Sequence, residues 1–146
     1  GVRARPWLIK PNRQEAEELI RRPLRTLGAR LQAVRRFLEL GPEVVILSLG
    51  GEGALMGSRA GVWLAAPPPV TVDSIVGAGD SFVGGFLSGW AAGRPLVEAF
   101  RLGIASGTAT AMTPGTELCH RADVRRLLPR VTITQVASPT PEPRPH

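Results

Sequence analysis

The sequence lacks several features that would each have defined a class of protein. One cysteine among 146 residues excludes an internal disulfide and a cysteine-rich zinc site, and it fits a reducing compartment. No apolar run reaches the ~18 residues of a membrane span, and no signal peptide is visible. The Gly-Lys-Ser/Thr end of a Walker A loop is also missing. We therefore expect a cytoplasmic protein that has no membrane partner.

Lysine is equally scarce, because Lys10 is the only one and arginine supplies nearly all of the net charge of +6. A basic nucleic-acid-binding domain is one interpretation, and it would show salt-sensitive binding. The arginines are scattered, however, at intervals typical of solvated helix faces. A basic cleft for phosphorylated ligands would use the same charge. We expect no nucleic-acid partner.

The length suits one domain, and a hydrophobic content of 43% allows a packed core. Strands alternate with helices along the chain, which predicts an α/β fold with a mainly parallel sheet. Strands are predicted at 6–10, 44–49, 54–56, 62–66, 70–72 and 131–136, and helices at 12–22, 27–40, 96–111 and 122–128, with one more after Asp80. We place the domain at 1–136 and interpret 137–146 as a Pro-rich, disordered tail.

The stretch Gly77-Ala78-Gly79-Asp80 is the most informative. It lies between a β-branched run and an apolar segment of helical period, so it predicts a tight turn that opens a helix. Such a turn directs backbone N–H groups and the positive end of the helix dipole at one spot, where an anion binds well. A carboxylate beside it suggests phosphoryl transfer, with Asp80 taking the proton of the attacking hydroxyl. The alternative is an ordinary turn with Asp80 near the N-cap.

Two further motifs follow predicted strands. Asn12 with Glu15 forms either a capping box or a pair that holds Mg²⁺, and the two interpretations are compatible. Lys10 is a phosphate contact or an ordinary solvent-facing lysine. The loop after the second long strand can pass under the ribose and phosphates of ATP, or it is a plain turn. Its residues are Ser48, Leu49, Gly50, Gly51, Glu52 and Gly53.

The predicted site lies at the carboxyl ends of the strands, where open α/β sheets bind ligands. Asn12, the loop at 48–53 and the turn at 77–80 each follow a strand, so we expect them to converge. Ser106, in a helix rich in small residues, either walls an adenine pocket or packs against another helix. The histidines are too isolated for a metal site.

The chain resembles the ribokinase-like (pfkB) sugar kinase family, in its 1-phosphofructokinase branch, with tagatose-6-phosphate kinase close by. The resemblance runs from about Pro6 to Val136. The motifs that carry it are Lys10-Pro11-Asn12-Arg13-x-Glu15, Ser48-Leu49-Gly50-x-x-Gly53-Ala54-Leu55, Val76-Gly77-Ala78-Gly79-Asp80-Ser81, Gly107-Thr108-Ala109-Thr110-Ala111 and Thr113-Pro114-Gly115-Thr116.

The resemblance implies a three-layer α/β/α, Rossmann-like fold and ATP-dependent phosphorylation of a sugar phosphate with Mg²⁺. The expected reaction converts fructose 1-phosphate to fructose 1,6-bisphosphate. It implies that Asp80 is the general base and that the amides of Gly77, Ala78 and Gly79 form an anion hole. The loop at 48–53 would line the ATP site, and Asn12 and Glu15 would organise Mg²⁺, partly through water.

The sequence departs from the family pattern in two ways. Ser74 and Ile75 stand where many members have Asp and Thr, so we predict no potassium site. Family members are also much longer, so we expect this chain to be the C-terminal, nucleotide-binding half of a kinase. A homodimer would then form through the lid of the full-length parent. We expect the chain alone to transfer phosphate poorly, and a non-catalytic ATP-binding remnant is the alternative.

Overall fold

The computed structural model describes residues 6–69, 77–112 and 121–138. Its strands are Leu8–Ile9 (β1), Val44–Ser48 (β2), Ala54–Ser58 (β3), Gly61–Ala66 (β4) and Thr132–Ala137 (β5). Its helices are Arg13–Ile20 (α1), Leu27–Glu39 (α2), Ala78–Ala91 (α3), Leu96–Met112 (α4) and Arg121–Leu127 (α5). Short 3₁₀ helices lie at Gly50–Glu52 and Leu128–Arg130.

Several predicted features lie outside the described residues. They are the strand at 70–72, Ser74 and Ile75, the Thr113–Thr116 turn, both histidines and the tail from residue 139 onward. Among the described residues, no helix is long and apolar enough to cross a membrane.

The strands form one five-stranded sheet in the order β1-β2-β3-β4-β5. β1 runs parallel to β2, with Leu8 opposite Val44, whereas β2 runs antiparallel to β3, with Ser48 opposite Ala54. The described sheet is therefore mixed. The reason is that the loops after β2 and β3 are only a few residues long, and a parallel crossover needs a dozen or more.

The described residues fall into two compact units. The first comprises those up to Leu64 together with those from Thr134, and the second comprises those from Ala65 to Ile133. In the first unit, α1 and α2 pack on one face of β2 and β3. The core residues there are Ala16, Leu24, Ala29, Ala33, Val34, Val45, Leu47, Leu49, Leu55 and Val62.

Helix α1 begins and ends at identifiable signals. Asn12 caps its N-terminus, and Arg21 ends it in the left-handed conformation, with φ of 56°. The predicted helix continued to Arg22. It stops earlier because the residue before Pro23 is disfavoured in helical conformation.

The second unit is built on helices α3 and α4. Phe82 and Phe86 of α3 and Phe100 of α4 are all buried. The rings of Phe82 and Phe86 are stacked with centroids 6.4 Å apart, and Phe100 meets Phe82 edge-on at 6.1 Å. A Cβ built at Gly89 of α3 would lie 3.1 Å from the Ala99 Cα of α4. The helices thus approach closely because small residues line both of them.

Candidate active site

In the first unit, the structure brings together the chain segments that follow β1 and β2. The backbone of Asn12 forms a parallel bridge with that of Ser48, and the Ser48 N–H donates to the Pro11 carbonyl at 3.1 Å. Asn12 and Ser48 therefore lie side by side at the carboxyl ends of two parallel strands. Lys10, which follows β1 directly, is half-buried. This part of the predicted convergence is present in the structure.

Asn12 and Glu15 form a reciprocal capping box. The Asn12 Oδ1 accepts from the Glu15 N–H at 2.8 Å, and the Glu15 Oε1 accepts from the Asn12 N–H at 3.2 Å. Both side chains are exposed. The capping interpretation of this motif is therefore present, and it leaves Glu15 Oε2 and one lone pair of Asn12 Oδ1 for another partner.

That remaining donor set suits Mg²⁺ held through water. Mg²⁺ keeps several waters and is commonly bound by one or two carboxylates together with substrate phosphates, not by an all-protein cage. The described residues contain no group of three or more His, Cys, Asp or Glu side chains placed to hold a metal.

The loop after β2 turns tightly on its glycines. Gly50 has φ of 60° and Gly53 of 96°, and the Leu49 N–H donates to the Gly53 carbonyl at 2.9 Å. A Cβ built at Gly50 or Gly51 would meet no described atom within 4 Å, so a ligand can approach the backbone there. Leu49 differs from its neighbours, because its side chain belongs to the core and only its backbone can contact a nucleotide.

Glu52 is held by two arginines, which sequence reasoning missed. Its carboxylate forms ion pairs with Arg13 of α1 and with Arg30 of α2, the latter at 2.9 Å. Arg30 also donates to the Leu24 carbonyl at 3.0 Å. The hydrogen bond from Arg13, followed by the charge of Arg30, lowers the pKa of Glu52. The two ion pairs thereby tie the loop to both helices. Glu52 is 39 residues from Arg13 and 22 residues from Arg30 in sequence, so no local pattern connects them.

In the second unit, Gly77 precedes α3 and adopts a left-handed conformation, with φ of 79°. The Ser81 N–H donates to the Gly77 carbonyl at 2.9 Å, which closes the first turn of the helix. The first few N–H groups of any helix have no acceptor within that helix. Among the described residues, no side chain accepts a hydrogen bond as the cap of the N-terminus of α3.

Asp80 is the third residue of α3 and its side chain is exposed. It is not the N-cap, since Gly77 occupies that position without a side-chain hydrogen bond. The turn thus presents backbone N–H groups and one carboxylate together. Ser106 of α4 is buried and packs against Gly85 of α3, as the helix-packing alternative for this residue expected. Its role in ATP binding stays a prediction.

Comparison with known proteins places the chain among its relatives. Residues 2–123 match the sequence profile of the pfkB family of carbohydrate kinases. The chain belongs to this family. It is 39% identical over 132 residues to the 1-phosphofructokinase of Bacillus subtilis, covering 90% of this chain and 43% of that protein. It is 38% identical over 121 residues to the ATP-dependent 6-phosphofructokinase isozyme 2 of Mycobacterium tuberculosis, covering 82% and 36%.

The solved structure of Arabidopsis thaliana ribokinase complexed with ribose and ATP superposes on this pfkB chain with a TM-score of 0.74. The two are 26% identical, and the match covers 83% of this chain and 40% of that one. The α/β fold is thus ribokinase-like, as the motifs predicted. The chain spans less than half the length of the relatives that it matches.

Proposed function

We propose that this chain carries the nucleotide-binding and phosphoryl-transferring part of an ATP-dependent sugar-phosphate kinase. The observation that carries the proposal is the turn from Gly77 to Asp80, where uncapped N–H groups and an exposed carboxylate share one helix start. Membership of the pfkB family supports the same reaction class. Fructose 1-phosphate is the proposed acceptor, because the 1-phosphofructokinase relative is 39% identical.

Asp80 is the proposed base. It accepts the proton of the acceptor hydroxyl while that oxygen forms a bond to the γ-phosphorus of ATP, and the bond to the β,γ-bridging oxygen breaks to release ADP. The backbone N–H groups of Gly77, Ala78 and Gly79 stabilise the charge on the transferred phosphoryl group. Each such donor typically contributes ~3–4 kcal/mol to lowering the barrier.

The nucleotide is proposed to contact residues of the first unit. Lys10 supplies a cation for phosphate, and the backbone of the glycine loop lies open to a ligand at Gly50 and Gly51. Asn12 and Glu15 would hold Mg²⁺ through water, and the ion would supply charge neutralisation for the phosphates. Leu49 contributes through its backbone, and Glu52 contributes by fixing the loop. Ser106, which belongs to the second unit, is the proposed residue at the adenine.

The test compares Asp80→Asn with the unsubstituted 146-residue chain, here called the parent chain, in two measurements. Calorimetry with ATP·Mg²⁺ should give dissociation constants that agree within about threefold, because the amide keeps the size of the side chain. Transfer to fructose 1-phosphate, followed radiometrically at high protein concentration, should fall by at least ~100-fold, the usual contribution of a general base. Asp123→Asn is the matched control, since Asp123 pairs with Arg126 on α5.

Retained transfer in Asp80→Asn would reject the base assignment, and absence of ATP binding by the parent chain would reject the nucleotide site. Fructose 6-phosphate and tagatose 6-phosphate should be tested beside fructose 1-phosphate, because the relatives include a 6-phosphofructokinase isozyme at 38% identity. Faster transfer to either would reassign the acceptor.

A second candidate is a nucleotide-binding module without catalysis. It is favoured by the finding that the chain covers only 43% of the Bacillus relative. Positioning of the acceptor can contribute ~7–11 kcal/mol to catalysis, and a chain of this length holds less than half of such a kinase. We therefore expect the 146 residues alone to bind ATP and to transfer phosphate poorly. Rapid turnover by the isolated chain would contradict this expectation.

A further inference from the structure

A hydrogen bond between two hydroxyl groups joins the first turn of α3 to the last turn of α4. Thr110 Oγ1 donates to Ser81 Oγ at 2.6 Å, within the normal range for such a bond. Thr110 is only 7% exposed, and Ser81 directly follows Asp80. The Ser81 N–H closes the first turn of α3 on the Gly77 carbonyl. The bond between Thr110 and Ser81 therefore connects α4 to the turn that carries the proposed anion site.

The surrounding contacts are apolar or backbone contacts. A Cβ built at Gly107 would lie 3.1 Å from the Ala78 carbonyl oxygen, and one built at Gly77 would lie 3.8 Å from the Thr110 methyl group. These close approaches set the distance between the two helices, and the edge-on contact of Phe82 with Phe100 also restrains α3. A hydrogen bond is directional, so the Thr110 hydroxyl adds an angular constraint on the first turn of α3 to the restraint that packing supplies.

We propose that Thr110 is a positioning residue for the turn from Gly77 to Asp80. It holds the first turn of α3 in one orientation, so that the N–H groups and the Asp80 carboxylate stay aimed at the same point. The catalytic part of this inference rests on the proposed function of that turn. Orientation matters there because a misplacement of about 1 Å can reduce a rate by roughly 100-fold.

The variants follow from the geometry. Thr110→Val removes the hydroxyl and keeps the methyl group against Gly77, whereas Thr110→Ser keeps the hydroxyl. Ser81→Ala breaks the same bond from the other side. The matched control is Thr108→Val on the same helix, because Thr108 Oγ1 donates to the Ile104 carbonyl of its own helix at 2.8 Å and makes no bond to α3.

The first measurement needs no ligand. Amide hydrogen exchange of the 146-residue chain is followed by NMR at the Ser81 N–H, which bonds to the Gly77 carbonyl. We expect exchange to accelerate at least ~10-fold in Thr110→Val and in Ser81→Ala, because the turn then opens more often. Thr110→Ser and Thr108→Val should stay within about threefold of the parent chain. Unchanged exchange in Thr110→Val would overturn the proposal.

The second measurement uses ADP·Mg²⁺ with tetrafluoroaluminate, a mimic of the transferring phosphoryl group, and ADP·Mg²⁺ alone. In Thr110→Val we expect the affinity for the mimic to fall at least ~10-fold, since the N–H groups are no longer aligned. The affinity for ADP alone should change by less than about threefold, which distinguishes misalignment from general loss of structure.

Failure of ligand binding and failure of a variant to fold lead to different conclusions. If the parent chain binds neither ADP nor the mimic, the proposed function fails, and the exchange measurement still decides whether Thr110 orders the turn. If Thr110→Val does not fold, Ser81→Ala and Thr110→Ser decide: fast exchange in the former with normal exchange in the latter supports the proposal. Equal exchange in those two variants contradicts it.

Discussion

Two adjacent glycines of α3 are expected to respond oppositely to the same substitution. In a helix interior, replacing glycine by alanine gains about 0.8–1.0 kcal/mol from helix propensity. A Cβ built at Gly84 meets no described atom within 4 Å, whereas one built at Gly85 lies 2.9 Å from Ser106 Cβ and 3.0 Å from the Leu102 carbonyl oxygen. Only the second position is therefore overpacked.

The geometry sets the size of the difference. Carbon atoms pack best at about 3.5–4.0 Å, so the Gly85 Cβ would lie roughly 0.6–1.1 Å too close to Ser106. Overpacking of this kind costs about 1–3 kcal/mol. Because the propensity gain is common to both positions, Gly84→Ala should exceed Gly85→Ala in unfolding free energy by about 1–3 kcal/mol. At about 3–4 °C per kcal/mol for a chain of this size, the melting temperatures should differ by ~3–12 °C.

Thermal unfolding followed by circular dichroism measures this difference. The control is the double variant Gly85→Ala with Ser106→Gly, which removes the side chain that the new methyl group meets. If the overpacking is at Ser106, the two substitutions should couple favourably by more than ~0.5 kcal/mol, the limit expected for independent sites. Equal melting temperatures for Gly84→Ala and Gly85→Ala, or strict additivity in the double variant, would refute the helix separation that the structure shows.

Three further predictions concern the first unit. Glu52→Gln should lower the melting temperature most at neutral pH, because the two arginines lower the pKa of Glu52 in the folded chain. The ionised carboxylate stabilises the fold above the ordinary glutamate pKa of 4.5, and this stabilisation is lost as the pH falls through the lowered pKa of the folded chain. A melting-temperature difference that grew in acid or persisted in 1 M NaCl would contradict the ion pairs. Asn12→Ala should lower the free energy of unfolding by about 1 kcal/mol in urea, whereas Asn12→Asp should retain the cap and the stability. An equal loss of unfolding free energy in both variants would argue against the capping box. Arg21→Gly should raise the free energy of unfolding by up to about 1 kcal/mol, because Arg21 has a positive φ that glycine adopts without steric cost. Destabilisation in the same urea assay would contradict the left-handed conformation of Arg21.

Sequence reasoning succeeded where the signal is local. The helix start at Gly77–Asp80, the capping residues Asn12 and Glu15, and the apolar strand from Val44 follow from turn chemistry and hydrophobic period, and the structure confirms each of them. The side-by-side placement of Asn12 and Ser48 also followed, because parallel strands bring their carboxyl ends to one edge of a sheet.

Features that depend on distant residues were not predictable. The pairing of Glu52 with Arg13 and Arg30 links positions 39 and 22 residues apart, and nothing in the local pattern distinguishes these arginines from solvated ones. The exposed face of α3 was also unexpected, because Leu87 and Trp90 are each more than 40% exposed although their period suggests burial.

The close packing of α3 on α4 has a consequence for how the sequence can change. A residue larger than glycine at position 85 requires a smaller one at position 106, so position 85 cannot become larger alone without moving the helices apart. Substitutions at these two positions should therefore occur together among the relatives, and a variant library that randomises both at once should recover pairs of roughly constant combined volume. The residues allowed in α3, the helix that starts at the proposed anion site, thus depend on the side chains of α4.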